Sequence, residues 1–396
     1  MSIMTLYDFV INPSINVSPY CYSILRLDPY QSCSHRCIYC FGRWYRTPES
    51  YDIKPIPNII ESFKRILKFL NRNNLKIIPF RLSTLIDPFQ NIEEDYRVSR
   101  KIINLCLNYD IPLIINTKAI LPLKSDYLNL LEKLNEKGIV IVQISFSTLN
   151  DDIAKVLEPN TPPPISRLNM IEKLSSENIP VIVRLQPFIP GISDYEIEKS
   201  IEEFKYAGAK QIIVEVLRDE IENLKVYMEL AYDKSIYENL DEWSSYSPSV
   251  EVPSKIVRPS INWKIKIYSK IRELCVKYGL QFSTCKEGFY DYHTASNCCG
   301  MQFIDSSKYI RRPTLYEAWI YYKTNNKLPN FKELVDSLND SYIFGDEVKR
   351  YPKLLKKKIK SHEKILCELL NERRNELINL LPTININLIK DLMEKL

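Results

Sequence analysis

Three cysteines stand within eight residues near the start of the chain, in the stretch CSHRCIYC. Cys33, Cys37 and Cys40 follow a C-x3-C-x2-C spacing directly after a short apolar run. Three thiolates leave one iron of a 4Fe–4S cluster without a protein ligand, and that iron can bind a small molecule. Zinc is the alternative, because His35 lies inside the loop and could complete a Cys3His tetrahedron. The spacing favours the iron–sulfur cluster and leaves zinc open.

A second group of cysteines lies in the stretch TCKEGFYDYHTASNCCGM. Cys285 ends the last predicted strand, and Cys298 and Cys299 are adjacent in the sequence. Three thiols here can bind an auxiliary iron–sulfur cluster or a zinc ion, with His293 as a fourth ligand. A redox-active thiol and a purely structural role are the alternatives, since adjacent cysteines rarely both bind one metal.

The elements that must position these cysteines alternate between strand and helix. Short apolar runs without polar alternation predict buried parallel strands; they span residues 23–27, 77–83, 111–117, 139–146, 180–188, 211–217 and 280–284. Between them lie helical patterns at 57–73, 91–108, 125–137, 164–177, 193–207, 219–239 and 262–278. The alternation predicts an α/β fold, either a parallel barrel or an open doubly wound sheet, with its active site at the carboxyl ends of the strands.

The alternation stops near residue 300, and residues 313–396 are predicted to be mainly helical. The Pro- and Ser-rich stretch 244–260 predicts a loop. The expected organisation is an N-terminal extension (1–20), a barrel (21–300) and a helical C-terminal region (301–396). The longest tail pattern, within 354–381, is amphipathic and rich in lysine and arginine. It indicates a solvated helix packed on the barrel, with a basic strip for phosphates as the alternative.

Composition excludes several classes of protein. The chain has 396 residues with only 8 glycines, which excludes a glycine-rich phosphate loop, and its net charge of +5 permits a nucleic-acid partner without requiring one. No run approaches the roughly 18 apolar residues of a membrane span. The first residues show no export signal, so the ten cysteines are not expected to form disulfides. We predict a cytoplasmic protein with no membrane partner.

Several motifs resemble, in order, the radical S-adenosylmethionine (radical SAM) superfamily. Its signature is this C-x3-C-x2-C with an aromatic residue before the last cysteine, as Tyr39 is here. The resemblance is to the branch that contains spore photoproduct lyase and DNA-repair-photolyase-like proteins. It covers roughly residues 20–300, and the motifs are DPYQSCSHRCIYCFGR, STLIDPFQNIEEDYRVSRKIINLC, INTKAIL, ISFSTLNDDIAKVLEPNTPPPISRL and PFIPGISD.

The resemblance implies a partial (β/α)6 barrel of the TIM type with a helical C-terminal extension. It also implies a 4Fe–4S cluster, with S-adenosylmethionine (SAM) bound to the open iron. A reducing electron donor of the ferredoxin or flavodoxin type would drive cleavage of SAM to a 5′-deoxyadenosyl radical that abstracts hydrogen from the substrate. The cofactor carries this chemistry, and the protein positions it and excludes water.

The resemblance also assigns residues to the SAM site. Lys118 would neutralise the methionyl carboxylate, and Ser147 would hydrogen-bond at the end of a strand. Glu158 and Arg167 would form part of the cofactor wall, with an ion pair that fixes the loop as the alternative. The superfamily's Gly-Gly-Glu-like segment is absent, and its region is occupied by Ser83, Thr84 and Asp87. A capping role for Asp87 before Pro88 is the alternative to binding the amino group.

The resemblance implies the chemistry and leaves the substrate open. Spore photoproduct lyase is thought to return a hydrogen atom from a cysteine near its second strand, whereas no cysteine lies between Cys40 and Cys106 here. Cys285 or a tyrosine could substitute. The favoured substrate is nucleic acid, either a DNA lesion or a tRNA base, because basic residues and 26 tyrosines could supply phosphate and stacking contacts. A peptide or small metabolite is the alternative, and a non-enzymatic zinc-binding scaffold is a third.

Overall fold

The computed structural model describes residues 9–45, 53–248 and 250–384. Its centre is a six-stranded parallel sheet in the order β1-β2-β3-β4-β5-β9. The strands are β1 (Phe80–Leu82), β2 (Leu113–Thr117), β3 (Val140–Phe146), β4 (Val181–Phe188), β5 (Gln211–Val216) and β9 (Gln281–Thr284). Helices alternate with these strands, so the predicted α/β barrel class is confirmed.

The first predicted strand, at 23–27, is wrong as a regular strand. The segment joins the sheet only through isolated bridges, parallel between Arg26 and Arg81 and antiparallel between Val10 and Leu25. This short pairing extends the sheet beyond β1. The segment then leads directly into the loop that holds Cys33.

The helices follow the predicted pattern with two interruptions. They are α1 (Ile59–Arg72), α2 (Glu93–Tyr96), α3 (Val98–Tyr109), α4 (Ser125–Glu136), α5 (Asp151–Leu157), α6 (Pro164–Ser176), α7 (Ile197–Tyr206), α8 (Leu224–Leu230), α9 (Ser235–Glu238) and α10 (Ile261–Lys277). The helix predicted over 91–108 is broken at Arg97, whose φ of 53° is left-handed and cannot continue a helix. The helix predicted over 219–239 is likewise divided into short pieces.

A small antiparallel sheet stands where a loop was predicted. Its order is β6-β8-β7, formed by β6 (Asp219–Glu220), β7 (Trp243–Ser245) and β8 (Ile256–Pro259). Its strands are short and interrupted by proline and serine, so the sequence shows no strand periodicity in this region. Because β6 follows β5 after two residues, this sheet forms a wall at the carboxyl end of the barrel.

The barrel interior has an apolar floor below a polar layer. Isoleucines from four successive strands pack with Met301 in one buried cluster; they are Ile114, Ile141, Ile182 and Ile213. Gly300 lets the chain approach this floor, because a Cβ there would lie 1.9 Å from Ile182 Cδ1. The next inward positions along the strands are polar, as expected where side chains alternate between the two faces.

The C-terminal region is helical, as predicted, with α11 (Leu315–Asn325), α12 (Phe331–Asp336), α13 (Lys353–Asn371) and α14 (Leu377–Leu380). Helix α13 divides its buried face: Leu355 and Ile359 join the main core, whereas Leu366 and Leu370 join a separate cluster with α11, α12 and α14. Packing is therefore shared across residue 300, and the two predicted domain boundaries stay predictions. Within the described ranges, the helices include none that is both long and apolar enough to cross a membrane.

Candidate active site

A cavity of about 340 Å³ opens at the carboxyl ends of the barrel strands. Cys33, Cys37 and Cys40 all line it, on the loop that follows the N-terminal segment. We call residues 33–40 the thiol loop. Gly42 permits its close approach to the turn after β1, because a Cβ at that position would lie 2.9 Å from the Leu85 carbonyl oxygen and 3.2 Å from Cys40 Sγ. The three thiols predicted as ligands therefore share one cavity.

The thiol loop is fixed from both sides by hydrogen bonds. The Ser34 amide donates to Gln90 Oε1 at 2.7 Å. His35 Nδ1 lies 3.0 Å from the Asn160 carbonyl oxygen, and His35 Nε2 lies 3.3 Å from Asp87 Oδ2. Nδ1 is thus hydrogen-bonded to a neighbouring loop, and Nε2 faces the Asp87 carboxylate without a hydrogen bond to any described residue. This placement gives no support to His35 as the fourth ligand of a zinc ion.

Burial in the thiol loop favours the protonated form of two of its sulfurs, those of Cys33 and Cys37. Burial raises the pKa of Cys33 to about 12 and places the pKa of Cys37 well above its usual value, and nearby carboxylates act in the same direction. Thiolates there require added positive charge, which a bound metal supplies. Among the described residues, no three His, Cys, Asp or Glu side chains are arranged to hold one metal ion. A 4Fe–4S cluster binds each thiolate through a different iron, so the wider arrangement fits the cluster better than zinc.

Lys118 carries an unsatisfied ammonium group into the same cavity. It follows β2, is 11% exposed, and its Nζ has no hydrogen-bond partner among the described residues. The nearest carboxylate oxygen is Glu158 Oε1, at 3.4 Å, and the Tyr39 ring centroid is 5.7 Å away. A buried ammonium with unused donors can hold the carboxylate of a ligand. Lys118 and the three thiols together fit SAM bound beside a cluster.

Ser147, Glu158 and Arg167 lie behind this wall rather than on the cavity surface. Arg167 Nη2 pairs with Glu158 Oε2 at 2.7 Å, and both side chains are fully buried. Ser147 Oγ and Tyr39 Oη donate to Glu158 Oε1. Burial acts to raise the pKa of Glu158, but Arg167 and Lys118 outweigh it and hold that pKa at about 2. The ionised carboxylate therefore orients Lys118 and Tyr39.

Asp87, Ser83 and Thr84 stand where the amino-group ligand was predicted, and all three line the cavity. The Asp87 carboxylate accepts from Thr117 Oγ1 at 2.8 Å and from the Lys118 amide at 2.6 Å, while its own amide donates to Cys33 Sγ at 3.4 Å. Burial acts to raise the pKa of Asp87, but His35 and backbone donors lower it below its usual value. Asp87 thus ties the thiol loop to β2, which is closer to the capping alternative.

Ser83 and Thr84 are engaged by a residue that the sequence did not single out. Ser83 Oγ donates to Asp28 Oδ1, and the Thr84 amide donates to the same oxygen at 3.0 Å. Asp28 lies five residues before Cys33, so its carboxylate fixes the segment that leads into the thiol loop to the turn after β1. The Asp-Pro pair at 28–29 is the signal that could have identified this cap.

The sulfurs of the second cysteine group (Cys285, Cys298 and Cys299) already contact other parts of the barrel. All three cysteines pack with the isoleucine floor, and Cys285 also lines the cavity. Arg184 Nη2 donates to Cys285 Sγ at 3.4 Å, and Arg81 Nη2 donates to Cys299 Sγ at 3.3 Å. The candidate fourth ligand, His293, accepts from the Thr284 amide through Nε2 at 2.9 Å. The described residues therefore give no support to a second cluster or a zinc site.

The polar layer of the lumen contains residues that sequence reasoning missed. Polar side chains in the middle of apolar strands meet inside the barrel and are linked by hydrogen bonds or ion pairs; they are Arg81, Asn116, Gln143, Arg184 and Glu215. Each interrupts an apolar run, for example in FRLS, IVRLQ and IVEV. Such interruptions in strands that are otherwise buried on both faces were the available signal.

Comparisons with known proteins agree with this geometry. The model of the radical SAM superfamily matches residues 27–204, which include the thiol loop and Lys118. An uncharacterized protein of Acidianus two-tailed virus is 27% identical over 230 residues, covering 53% of this chain and 73% of the viral protein. An uncharacterized protein of Mycobacterium bovis is 26% identical over 211 residues, covering 51% of this chain and 60% of its own length. The chain thus spans about three-fifths of that mycobacterial relative.

Solved structures of spore photoproduct lyase share the fold. A variant bound to dinucleoside spore photoproduct has a TM-score of 0.52 and 13% identity, covering 72% of this chain and 79% of the lyase. A variant with bound AdoMet and the same dinucleoside has a TM-score of 0.53 and 12% identity, covering 72% and 80%. The barrel, the three thiols in its mouth and the family match over residues 27–204 point to one conclusion: the chain contains a radical SAM domain and is an enzyme of the radical SAM class.

Proposed function

We propose that Cys33, Cys37 and Cys40 hold a 4Fe–4S cluster, that Lys118 binds the carboxylate of SAM, and that the enzyme modifies nucleic acid. The observation that carries the cofactor assignment is the shared cavity. It joins three thiols, two of them with pKa values raised by burial, with a buried lysine whose ammonium donors no described residue uses. When bound, this cofactor pair supplies the reductive cleavage of SAM to a 5′-deoxyadenosyl radical that abstracts hydrogen, driven by a ferredoxin- or flavodoxin-type reductant.

The residues of this chain would position the reactants and keep water away. The Glu158–Arg167 pair holds Lys118 and Tyr39 in place without occupying the cavity. Asp87 and Asp28 fix the thiol loop to the turn after β1, so the thiols and Lys118 are held on one frame. Side chains that are already held in position reduce the entropy that substrate and cofactor must lose before they react.

Two observations support nucleic acid as the substrate class. The cavity wall carries more basic than acidic side chains, with Arg26, Arg81, Lys118, Arg184, Arg218 and Lys286 against Asp87 and Glu215. A basic wall attracts the phosphates of a nucleic acid. The spore photoproduct lyase structures that share this fold were solved with a dinucleoside lesion bound. A peptide or small-metabolite substrate would need fewer cations along the wall.

The test begins with the anaerobically reconstituted full chain. Fluorescence anisotropy would compare single-stranded DNA, duplex DNA and tRNA at several salt concentrations. We expect binding that weakens steeply as salt rises, since each phosphate contact releases counterions. The same protein, reduced with dithionite in the presence of SAM, is expected to form 5′-deoxyadenosine. Salt-independent or absent nucleic-acid binding, together with 5′-deoxyadenosine formation, would overturn the substrate class and leave the cofactor assignment standing.

A further inference from the structure

One end of the cavity holds three cations around a single carboxylate. Glu215, on β5, accepts an ion pair from Arg218, and its oxygens lie 3.0 Å from Lys286 Nζ and 3.8 Å from Arg184 Nη2. The four side chains are between 1% and 18% exposed. One carboxylate balances one of the three cations, so two positive charges at this end of the cavity have no acidic partner in the group.

The charged neighbours of this group increase the imbalance. Behind Arg218, Glu287 faces two cations, Lys264 at 3.0 Å and Arg258 at 3.7 Å. Asp219, which follows Arg218 in the sequence, is engaged by Arg43 and by Tyr227. Within residues 9–45, 53–248 and 250–384, no carboxylate besides Glu215 forms an ion pair with the three cations that line the cavity. Burying uncompensated charge is unfavourable, so a cation excess on a cavity wall indicates an anion site.

The three cations are held in fixed positions. The Arg218 guanidinium donates to Tyr246 Oη at 2.8 Å and stacks 4.9 Å from that ring. Arg184 donates to Gln143 Oε1 at 3.0 Å and also to Gln186. These contacts order the donors before any ligand arrives, which lowers the entropic cost of binding.

Lys286 connects this end of the cavity to the thiol loop. Its backbone adopts a left-handed φ of 57°, which directs the chain after β9, and its Nζ lies 5.8 Å from the Phe41 ring centroid. Phe41 directly follows Cys40 in the sequence. A ligand anchored at Lys286 would therefore have its remaining atoms beside the thiol loop, while Lys118, which follows β2, stays free for the carboxylate of SAM.

We propose that Arg184, Arg218 and Lys286 form a phosphate-binding subsite that anchors the substrate in the barrel. A tetrahedral phosphate offers acceptors to donors that converge from three separate segments, and guanidinium groups match phosphate oxygens in pairs. These cations already contact one planar carboxylate, that of Glu215. The anion that we propose as the ligand is therefore a phosphate and not a second carboxylate. The proposal rests on the nucleic-acid substrate proposed above only for the source of the phosphate.

The first measurement is the binding of inorganic phosphate to the reconstituted full chain, by calorimetry at constant ionic strength in chloride. The variants are Arg218→Gln and Lys286→Met, with Arg218→Lys as the charge-preserving variant. Lys173→Met serves as the control, because Lys173 is an exposed lysine of α6 paired with Glu177. We expect each charge-removing change to weaken phosphate binding about tenfold or more. The Lys173→Met and wild-type values should agree.

The second measurement identifies the source of the phosphate. Binding of a thymidine dinucleotide would be compared with that of a dinucleoside joined by a neutral linker. A preference for the dinucleotide that disappears in Lys286→Met supports the subsite within the nucleic-acid function. If phosphate binds at these residues but neither dinucleoside binds, the subsite stands and the nucleic-acid proposal fails.

Two results would overturn the subsite itself. The first is phosphate binding that is absent, or equal in wild type and in both charge-removing variants, even where oligonucleotides still bind. The second is acetate binding as tightly as phosphate with the same sensitivity to Lys286→Met. Because Lys286→Met leaves the pair between Glu215 and Arg218 intact, it keeps the test decisive if Arg218→Gln fails to fold.

Discussion

The two groups of cysteines differ in what their sulfurs already contact. In the thiol loop, Cys33 accepts a backbone N–H and Cys37 has Lys118 nearby, but burial outweighs both influences and keeps both pKa values high. In the second group, Cys299 accepts from Arg81 and Ser23, and hydrogen bonds from the Cys21 and Cys298 thiols lower its pKa well below the usual value. Positive charge does not overcome burial at Cys33 and Cys37, whereas arginines and hydrogen bonds do so at Cys299.

This difference shows why the count and spacing of ligand-type residues do not identify a metal site. A sulfur that is stabilised as an anion by arginine inside the protein has no need of a metal, and its lone pairs point at those donors. A sulfur that is buried without donors can become an anion only when a cation binds. The second cysteine group therefore resembles part of the polar layer of the barrel, whereas the thiol loop resembles an incomplete ligand set.

The largest effect is expected from removing one thiol of the thiol loop. Cys37→Ala should abolish 5′-deoxyadenosine formation and lower bound iron far below the roughly four atoms of one cluster. Cys298→Ala, the matched change in the second group, should leave both values near those of the wild type. Iron analysis and an anaerobic product assay measure the two effects. If both variants lost equal amounts of iron, the thiol loop and the second cysteine group would not differ in metal binding.

The next effect concerns the buried carboxylate behind the thiol loop. Glu158→Gln leaves the fully buried Arg167 without a counter-charge, and we expect a loss of about 3–5 kcal/mol in the free energy of unfolding. The control is Glu198→Gln, an exposed carboxylate paired with Lys277, which should change the free energy of unfolding far less because water screens that pair. Urea unfolding at neutral pH compares the two.

The pH dependence of the same pair has a defined sign. The folded-state pKa of Glu158, about 2, lies below its ordinary value of 4.5. Its stabilisation is therefore complete above about pH 4.5 and is lost as the pH falls toward 2. The stability difference between wild type and Glu158→Gln should shrink over that window. A difference that stays constant there would contradict an ionised Glu158 as the group that positions Lys118.

Much of the fold could be predicted from the sequence because its signals are local. Apolar runs and helical periods located all six strands of the parallel sheet within a few residues, together with most helices, and the spacing of Cys33, Cys37 and Cys40 located the thiol loop. The remainder depends on contacts between distant segments. The small sheet β6-β8-β7 has strands of two to four residues, too short for a period to emerge.

The charges of the lumen were missed for a related reason. Arg81, Arg184 and Glu215 each occur once in an apolar strand, and a single interruption does not reveal which face it occupies. Only the closing of the sheet brings them together around the cavity. The sequence also allowed a metal site at the second cysteine group. Arginines donate hydrogen bonds to two of its sulfurs, but these arginines come from strands more than one hundred residues earlier in the chain, so the sequence does not show the contact.

A smaller effect is expected at the ammonium group beside the thiol loop. Lys118→Met should weaken SAM binding roughly 10- to 100-fold, since a charge-assisted hydrogen bond contributes about 1.5–3 kcal/mol. Lys124→Met is the control, because Lys124 is 56% exposed and paired with Glu94. Anaerobic calorimetry with SAM measures both. If Lys118→Met bound SAM as tightly as the wild type does, another residue would have to bind the SAM carboxylate. The interpretation of the thiol loop and Lys118 as one cofactor site would then be weakened.

The smallest effect tests whether Cys299 is a partner of arginine rather than of a metal. Cys299→Ala removes one acceptor from the buried Arg81, which keeps Asn116, Gln143 and Ser23, so we expect a loss of about 1–3 kcal/mol in unfolding free energy. Cys299→Ser restores an acceptor and should recover part of that loss. Bound iron should be the same in both variants and in the wild type. The opposite result would be a loss of bound iron or zinc in Cys299→Ala with little change in stability. The second cysteine group would then be a metal site, as we propose for the thiol loop.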